Sequence, residues 1–251
     1  MEPIKPKDNQ LINKSFNDFR EKLEAETEQE IAYEESEESL RYLVSVFRQI
    51  GDLFLRSEGR KFELDENNAD LVRMLVAYQS GWANTFEAYY HKSGGKGSCN
   101  LYNPIMLSGS RGVGKTLLLK IASRFASITG RYSRFFSETS ASELLNAFRA
   151  KGNIDSYTYR ATEDGKPGNI CFNDLGIEKD EKGNSYGTSV SSVVRDFLLA
   201  RYEIDQNQGK LCHITTNLTA KDISTIYPAR VADRLRQYNI IPIVGETRRR
   251  N

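Results

Sequence analysis

The sequence predicts a mostly parallel β-sheet wrapped by helices, the α/β class, and three observations predict it. Short apolar runs at 105–107, 132–136, 170–172, 211–215 and 240–244 alternate with segments of helical periodicity. The first run leads into Gly109, Ser110, Arg111, Gly112, Val113, Gly114, Lys115 and Thr116, which spell G-x-x-x-x-G-K-T ahead of a helix-like stretch at 117–128. Polar residues gather just after two later runs, at Asn173 and Asp174 and again at Asn217. That edge of an open α/β sheet is where ligands bind.

The chain has 251 residues, 39% hydrophobic and 27% charged, which suits one domain or two small ones. Its net charge of +1 hides an asymmetry: residues 1–40 hold 5 Lys/Arg against 12 Asp/Glu, and the remainder is positive. The acidic stretch 21–38 reads as a solvated or partly disordered helix, with a protein-docking arm as the sharper alternative. Leu40, Leu43, Val44, Phe47, Ile50, Phe54 and Leu55 then recur at three- and four-residue steps, as do Leu71, Met74, Leu75 and Tyr78, predicting two amphipathic helices. A third is expected over 82–91 before the Gly- and Ser-rich break at 93–98. Residues 1–92 therefore read as a helical N-terminal module and 93–251 as the α/β domain.

The glycine string is a phosphate-binding loop, so the α/β domain is read as a P-loop NTPase. Successive backbone N–H groups must turn towards the β- and γ-phosphates, and the dihedrals and close approaches this requires exclude side chains. Lys115 adds a point charge, Thr116 offers its hydroxyl to Mg²⁺, and the following helix presents its positive end to the anion. The candidate nucleotide-binding residues are Gly109, Ser110, Arg111, Gly112, Val113, Gly114, Lys115, Thr116 and Leu117, and Mg²⁺ is the expected metal.

The later strands supply the rest of the site. The second should precede a helix opened by Ser140 and Glu143, a capping box. The third ends in Asn173-Asp174-Leu175-Gly176, and a carboxylate there can hold the magnesium shell or position the attacking water. Candidate metal ligands are Thr116, Asn173 and Asp174. The insert 180–188 reads as a loop into a helix at 189–201, and Glu178 as either an aid to the site or a surface acid. The fourth strand ends in Thr215-Thr216-Asn217. The Asn217 amide, both donor and acceptor, can orient a water or touch the γ-phosphate, or Asn217 can be a turn residue.

Several classes of function are disfavoured. No apolar run approaches the roughly 20 residues of a membrane span, and residues 1–10 do not resemble a signal peptide, so a cytoplasmic protein is expected. Cys99, Cys171 and Cys212 are odd in number and widely spaced, favouring reduced thiols. His91 and His213 lack partners at ligand spacing and are read as structural. A GTPase is disfavoured because no Asn-Lys-x-Asp follows the loop.

Over residues 96–251 these motifs resemble the AAA+ ATPases of the DnaC-type helicase loaders, including phage and mobile-element replication proteins, and the related IstB-type transposition ATPases. The Walker B strand of that family closes in an Asn-Asp or Asp-Asp pair followed by Leu-Gly, as at 173–176, and its sensor 1 strand ends in Thr-Thr-Asn or Thr-Ser-Asn, as at 215–217. Arg230-Val-Ala-Asp-Arg234-Leu235 looks like its R-x-x-x-R-L box, and Gly245-Glu-Thr-Arg-Arg249 resembles its closing G-x-S-x-R.

The resemblance implies an AAA+ fold without a full C-terminal lid, Asp174 and Asn217 in catalysis, and Arg234 as an arginine finger acting on a neighbouring subunit. It also implies Arg249 as a phosphate-sensing arginine. The implied partners are ATP, single-stranded DNA, a replicative helicase and further copies of the chain, with a DNA replication role as an ATP-controlled switch. Asn173 departs from the family by standing where the first Walker B acid is expected. Two other functions therefore stay open: an IstB-like accessory ATPase on duplex DNA, and a nucleotide-gated adaptor with negligible turnover. Arg230 and Arg234 can also be read as a solvated helix face beside Asp233.

Overall fold

A computed structural model of the chain describes residues 14–19, 21, 33–176, 184–185 and 188–248. Most of the acidic stretch 21–38, Glu178 and Arg249 lie outside the described residues. The chain divides into two compact units, one of residues up to Tyr89 with Lys120–Phe135, the other of Tyr90–Leu119 with Phe136 onward.

The first unit is helical. Helix α1 (Glu37–Leu55) begins at Ser36, whose hydroxyl accepts the Ser39 N–H at 3.1 Å, and Glu37 and Glu38 in its first turn favour the positive end of the helix dipole. Its buried stripe includes Leu40, Leu43, Val44, Phe47, Ile50 and Leu55, which is the expected periodicity. Helix α2 (Ala69–Ser80) stops at Gly81, and helix α3 (Ala83–Lys92) ends near the predicted break. Phe47 packs its ring 6.2 Å from Phe62 and 6.0 Å from Phe125, centring an aromatic core. At Gly51 the Phe62 side chain comes so near that an added Cβ would lie 2.7 Å from its Cβ.

The second unit carries the sheet. Five parallel strands lie in the order β2 (Ser137–Ser140), β3 (Ile170–Leu175), β6 (Cys212–Thr216), β1 (Ile105–Gly109), β7 (Asn239–Ile243). After β1 the chain crosses by helix α4 (Lys115–Ile128) to the far edge and returns through β3 and β6, and β7 then adds on the other side of β1. The direction of winding thus reverses at β1, and the crevice at its carboxyl end is the ligand position of such sheets.

One face of the sheet, with Met106, Phe172 and Ile214, is covered by three helices: α5 (Ala141–Lys151), α6 (Val190–Gln208) and α8 (Ala229–Leu235). Phe172 and Phe197 stack with ring centroids 4.7 Å apart. Helix α7 (Ala220–Ile226) adds Ile223. The α/β P-loop architecture predicted from the sequence is the one observed.

Two local expectations need correction. The run at 132–136 is not the second strand: Tyr132–Arg134 is a 3₁₀ turn, and β2 is the polar Ser137–Ser140. As an edge strand paired only with β3, β2 buries just Thr139, so its hydrophobicity carries no signal. The adjacent Tyr132 and Phe135, which drew the prediction, are exposed. The insert read as a loop also holds a short antiparallel pair, β4 (Asn184–Ser185) with β5 (Thr188–Ser189).

Buried polar side chains pin the strand ends. His213 accepts the Ile105 N–H at Nδ1 (3.1 Å), so its neutral ring carries the proton on Nε2, which suits a structural role. Cys171 and Cys212 are buried and, among the described residues, in no disulfide. Among the described residues no helix is long and apolar enough to cross a membrane. Arg201 is buried, and one terminal nitrogen donates to the carbonyls of Gly168, Lys210 and Leu211, tying the approaches to β3 and β6 together.

Nearby on α6, burial pushes the Asp205 carboxyl up to about 6 against the opposing pull of Arg201. A raised carboxyl pKa means that the folded state holds the proton more tightly than the unfolded chain. This contribution to stability is therefore present at low pH and is lost as pH rises from about 4 through 6. Asp205→Asn should remove that slope. The difference in urea midpoint between the variant and wild type should grow in the variant's favour from pH 4 to 6 and then level off, and parallel profiles would refute the assignment.

Candidate functional site

The loop between β1 and α4 has the geometry its glycines predict. Gly112 (φ 87°) and Gly114 (φ 95°) are in left-handed backbone conformations, which L side chains rarely adopt. Gly112 is also crowded: a Cβ there would collide with the Thr247 side chain, and its carbonyl accepts the Arg248 N–H at 2.9 Å. The segment 245–248 therefore closes on the loop. The arginine anchored there by its backbone is Arg248, while the candidate Arg249 lies outside the described residues.

Lys115 opens α4 and is only 5% exposed. Its ammonium donates three hydrogen bonds of 2.8 Å, to the carbonyls of Gly109 and Ser110 and to Oδ1 of Asn217. Two residues 102 positions apart, proposed separately from sequence, thus meet directly. Asn217 reaches Lys115 because β6 pairs with β1, with Ser108 opposite Thr216. Thr116 and Leu117 follow in the first turn of α4, both half-buried, and Arg111 is exposed.

The end of β3 is irregular where the sequence places its acid. The β3–β6 register shifts between Phe172 and Leu175, and Asp174 has φ 60°, the one positive φ outside glycine among the described residues. Two threonine hydroxyls hold this bend. Thr215 Oγ1 accepts the Asp174 N–H (2.9 Å) and donates to Asn173 Oδ1 (3.2 Å), while Thr216 Oγ1 donates to the Leu175 carbonyl (2.8 Å) and accepts the Leu218 N–H (3.0 Å). Gly176 (φ 102°) passes so close to Leu218 that an added Cβ would lie 2.7 Å from its Cγ.

Asn173 is buried, and its amide also donates to Glu138 Oε2 on β2 (3.3 Å). Both ends of the Asn173 side chain are thereby occupied by neighbours. The donor set still fits a magnesium–nucleotide complex: a glycine loop with left-handed turns, a buried ammonium, the Thr116 hydroxyl and the Asp174 carboxylate. No described residue hydrogen-bonds to that carboxylate.

Arg234 is placed elsewhere. Its guanidinium stacks 4.1 Å over the Tyr202 ring on α6, with Nη1 buried and unpaired among the described residues, while Arg230 is exposed. The sequence reading missed Glu138, because β2 was mislocated. It quoted Thr215 and Thr216 only as motif letters, although a Thr-Thr pair ending a buried strand is itself a sign of hydroxyls used internally.

No protein-family model matches the sequence, and no curated protein is similar to it. Several solved structures are similar in part. AMPPCP-bound DnaA from Aquifex aeolicus aligns at 17% identity with a TM-score of 0.46, covering 72% of this chain and 48% of that one. The DnaC helicase loader aligns at 15% with a TM-score of 0.46, covering 73% and 93%, and DnaI at 19% with a TM-score of 0.42, covering 75% and 88%. The chain thus spans about half the length of the DnaA structures it matches.

The strain at Asp174 can be separated from its chemistry. Asparagine tolerates the left-handed region and alanine does not, at a cost of roughly 1–2 kcal/mol. Asp174→Ala should therefore be less stable than Asp174→Asn by about that amount in chemical denaturation. Equal stabilities would mean that residue 174 is not held left-handed in solution.

Proposed function

We propose that this chain is a magnesium-dependent ATPase of DNA replication, a DnaC-like AAA+ helicase loader. In this reading it assembles into a homo-oligomer and acts as an ATP-controlled switch on single-stranded DNA and a replicative helicase. The observation that carries the nucleotide part is the buried Lys115 ammonium bonded to both the glycine loop and Asn217. That contact joins the phosphate-binding element to the strand end expected to sense the γ-phosphate. The replication part rests on the order of four motifs along residues 96–251 and their likeness to the helicase loaders. A cytoplasmic location follows from the same reading.

The chemistry follows from charge and position. Loop N–H groups and Lys115 hold the β- and γ-phosphates, and the N-terminus of α4 adds its partial positive charge. Thr116 and Asp174 would hold magnesium, which when bound would supply positive charge to offset the negative charge of the phosphates. Asp174 would also orient or deprotonate the attacking water. Arg234, or the exposed Arg230 one helical turn earlier, would supply the finger to a neighbouring subunit. Arg234 must leave Tyr202 to do so.

The adaptor reading keeps one supporting observation: Asn173 brings no charge to the edge, and its amide is already engaged. Turnover over a protein concentration series, with and without single-stranded DNA, separates the two. A replication ATPase should show turnover that rises with DNA and more steeply than linearly with protein, and Lys115→Ala should lose at least tenfold in nucleotide affinity. Tight ATP binding with no turnover under any condition selects the adaptor. Arg234→Ala should abolish hydrolysis while leaving ATP affinity within about twofold, and loss of both would remove it as the finger.

A further inference from the structure

Asn173 stands at the exit of β3 without the negative charge that a metal–nucleotide edge calls for, yet a carboxylate touches it from the neighbouring strand. β2 and β3 pair with Glu138 opposite Cys171, which puts Glu138 diagonal to Asn173 on the same face of the sheet. The contact is Asn173 Nδ2 to Glu138 Oε2, 3.3 Å. Its polarity is fixed by the partners. An ionised carboxylate only accepts, so the amide NH₂ must face Glu138. The Thr215 hydroxyl already accepts the Asp174 N–H, and its own hydrogen goes to Asn173 Oδ1. A directed chain therefore runs from the Asp174 backbone through Thr215 and Asn173 and ends on the Glu138 carboxylate.

We propose that Glu138 is a positioning residue of the nucleotide site, supplying from β2 the negative charge that Asn173 withholds from β3. Through Asn173 and Thr215 the same carboxylate steadies the left-handed Asp174, the residue that would hold the metal in this reading. Glu138 is exposed, on the edge strand of the sheet. This assignment rests on the reading that the site binds ATP with magnesium.

Partners that orient metal ligands typically change metal affinity by 10–100-fold when removed. The discriminating variant is Glu138→Gln, which keeps an acceptor for Asn173 and removes the charge. The measurement is the factor by which Mg²⁺ tightens binding of a fluorescent ATP analogue, taken as the ratio of Kd in EDTA to Kd in Mg²⁺. In Glu138→Gln that factor should fall about tenfold while Kd in EDTA stays within about twofold of wild type. Asn173→Asp alone sets two carboxylates in contact and should lower the denaturation midpoint, and the Asn173→Asp, Glu138→Gln double variant should recover both midpoint and Mg²⁺ factor.

An unchanged Mg²⁺ factor in Glu138→Gln overturns the proposal, as does a double variant that does not recover. The underlying reading fails in a different way, through a wild type whose analogue binding is indifferent to Mg²⁺ or to Lys115→Ala.

Discussion

A lysine ammonium buried to 5% exposure is tolerable only if its three hydrogens find oxygen acceptors, and at Lys115 they are two loop carbonyls and the Asn217 amide. Most of the second unit is arranged to satisfy that requirement. The carbonyls point at Nζ only because Gly112 and Gly114 turn the loop through left-handed conformations. Asn217 is within reach only because β6 lies beside β1 although it follows it by about a hundred residues, and this placement depends on the crossover of α4 to the far edge. A phosphate oxygen competing for Lys115 must displace one of these acceptors. Two of them are backbone, fixed by the loop. The third is a side chain at the end of β6, so it is the acceptor that can yield.

The bend after β3 obeys a second constraint coupled to the first. A left-handed aspartate costs backbone energy and persists where its surroundings determine it. Here the determinants are the hydroxyls of Thr215 and Thr216, adjacent in sequence to Asn217. One strand end therefore anchors the Asp174 backbone through Thr215 and contacts the Lys115 ammonium through Asn217. Movement at Asn217 is felt within two residues by the group that supports Asp174.

How much of this was legible in the sequence follows from which forces write a local signal. The glycine loop, the helix stripes of α1 and α2 and the Ser140–Glu143 capping box are local, and all three stand where the sequence put them. Strands β1, β3 and β6 were legible because they are mostly buried, and β7 because Ile240, Ile241 and Ile243 make it apolar although it is an edge strand. β2 was not, because an edge strand with one paired side can be Ser-Glu-Thr-Ser, and with it went Glu138. The Lys115–Asn217 contact was equally out of reach as a contact, since residues 102 apart meet through strand order and not through any spacing. The stacking of Arg234 on Tyr202 belongs to the same class: it follows from the packing of α8 against α6, which no local pattern of charge reveals.

The glycine loop is held from two sides, and the second bears on how its state could travel. Asn217 approaches from β6, while Thr247 and the Arg248 backbone close on Gly112 from the segment that follows β7. β6 and β7 flank β1 on opposite sides, so any shift of the loop is imposed on both neighbours of the central strand together. β6 continues into α7 and then α8, the helix that carries Arg230 and Arg234. Here fewer than twenty residues connect the acceptor of the Lys115 ammonium to Arg234, and the intervening helices pack on the same sheet face as Phe172 and Ile214. One short, packed stretch of chain thus runs from Asn217, the side-chain acceptor of the Lys115 ammonium, to those arginines.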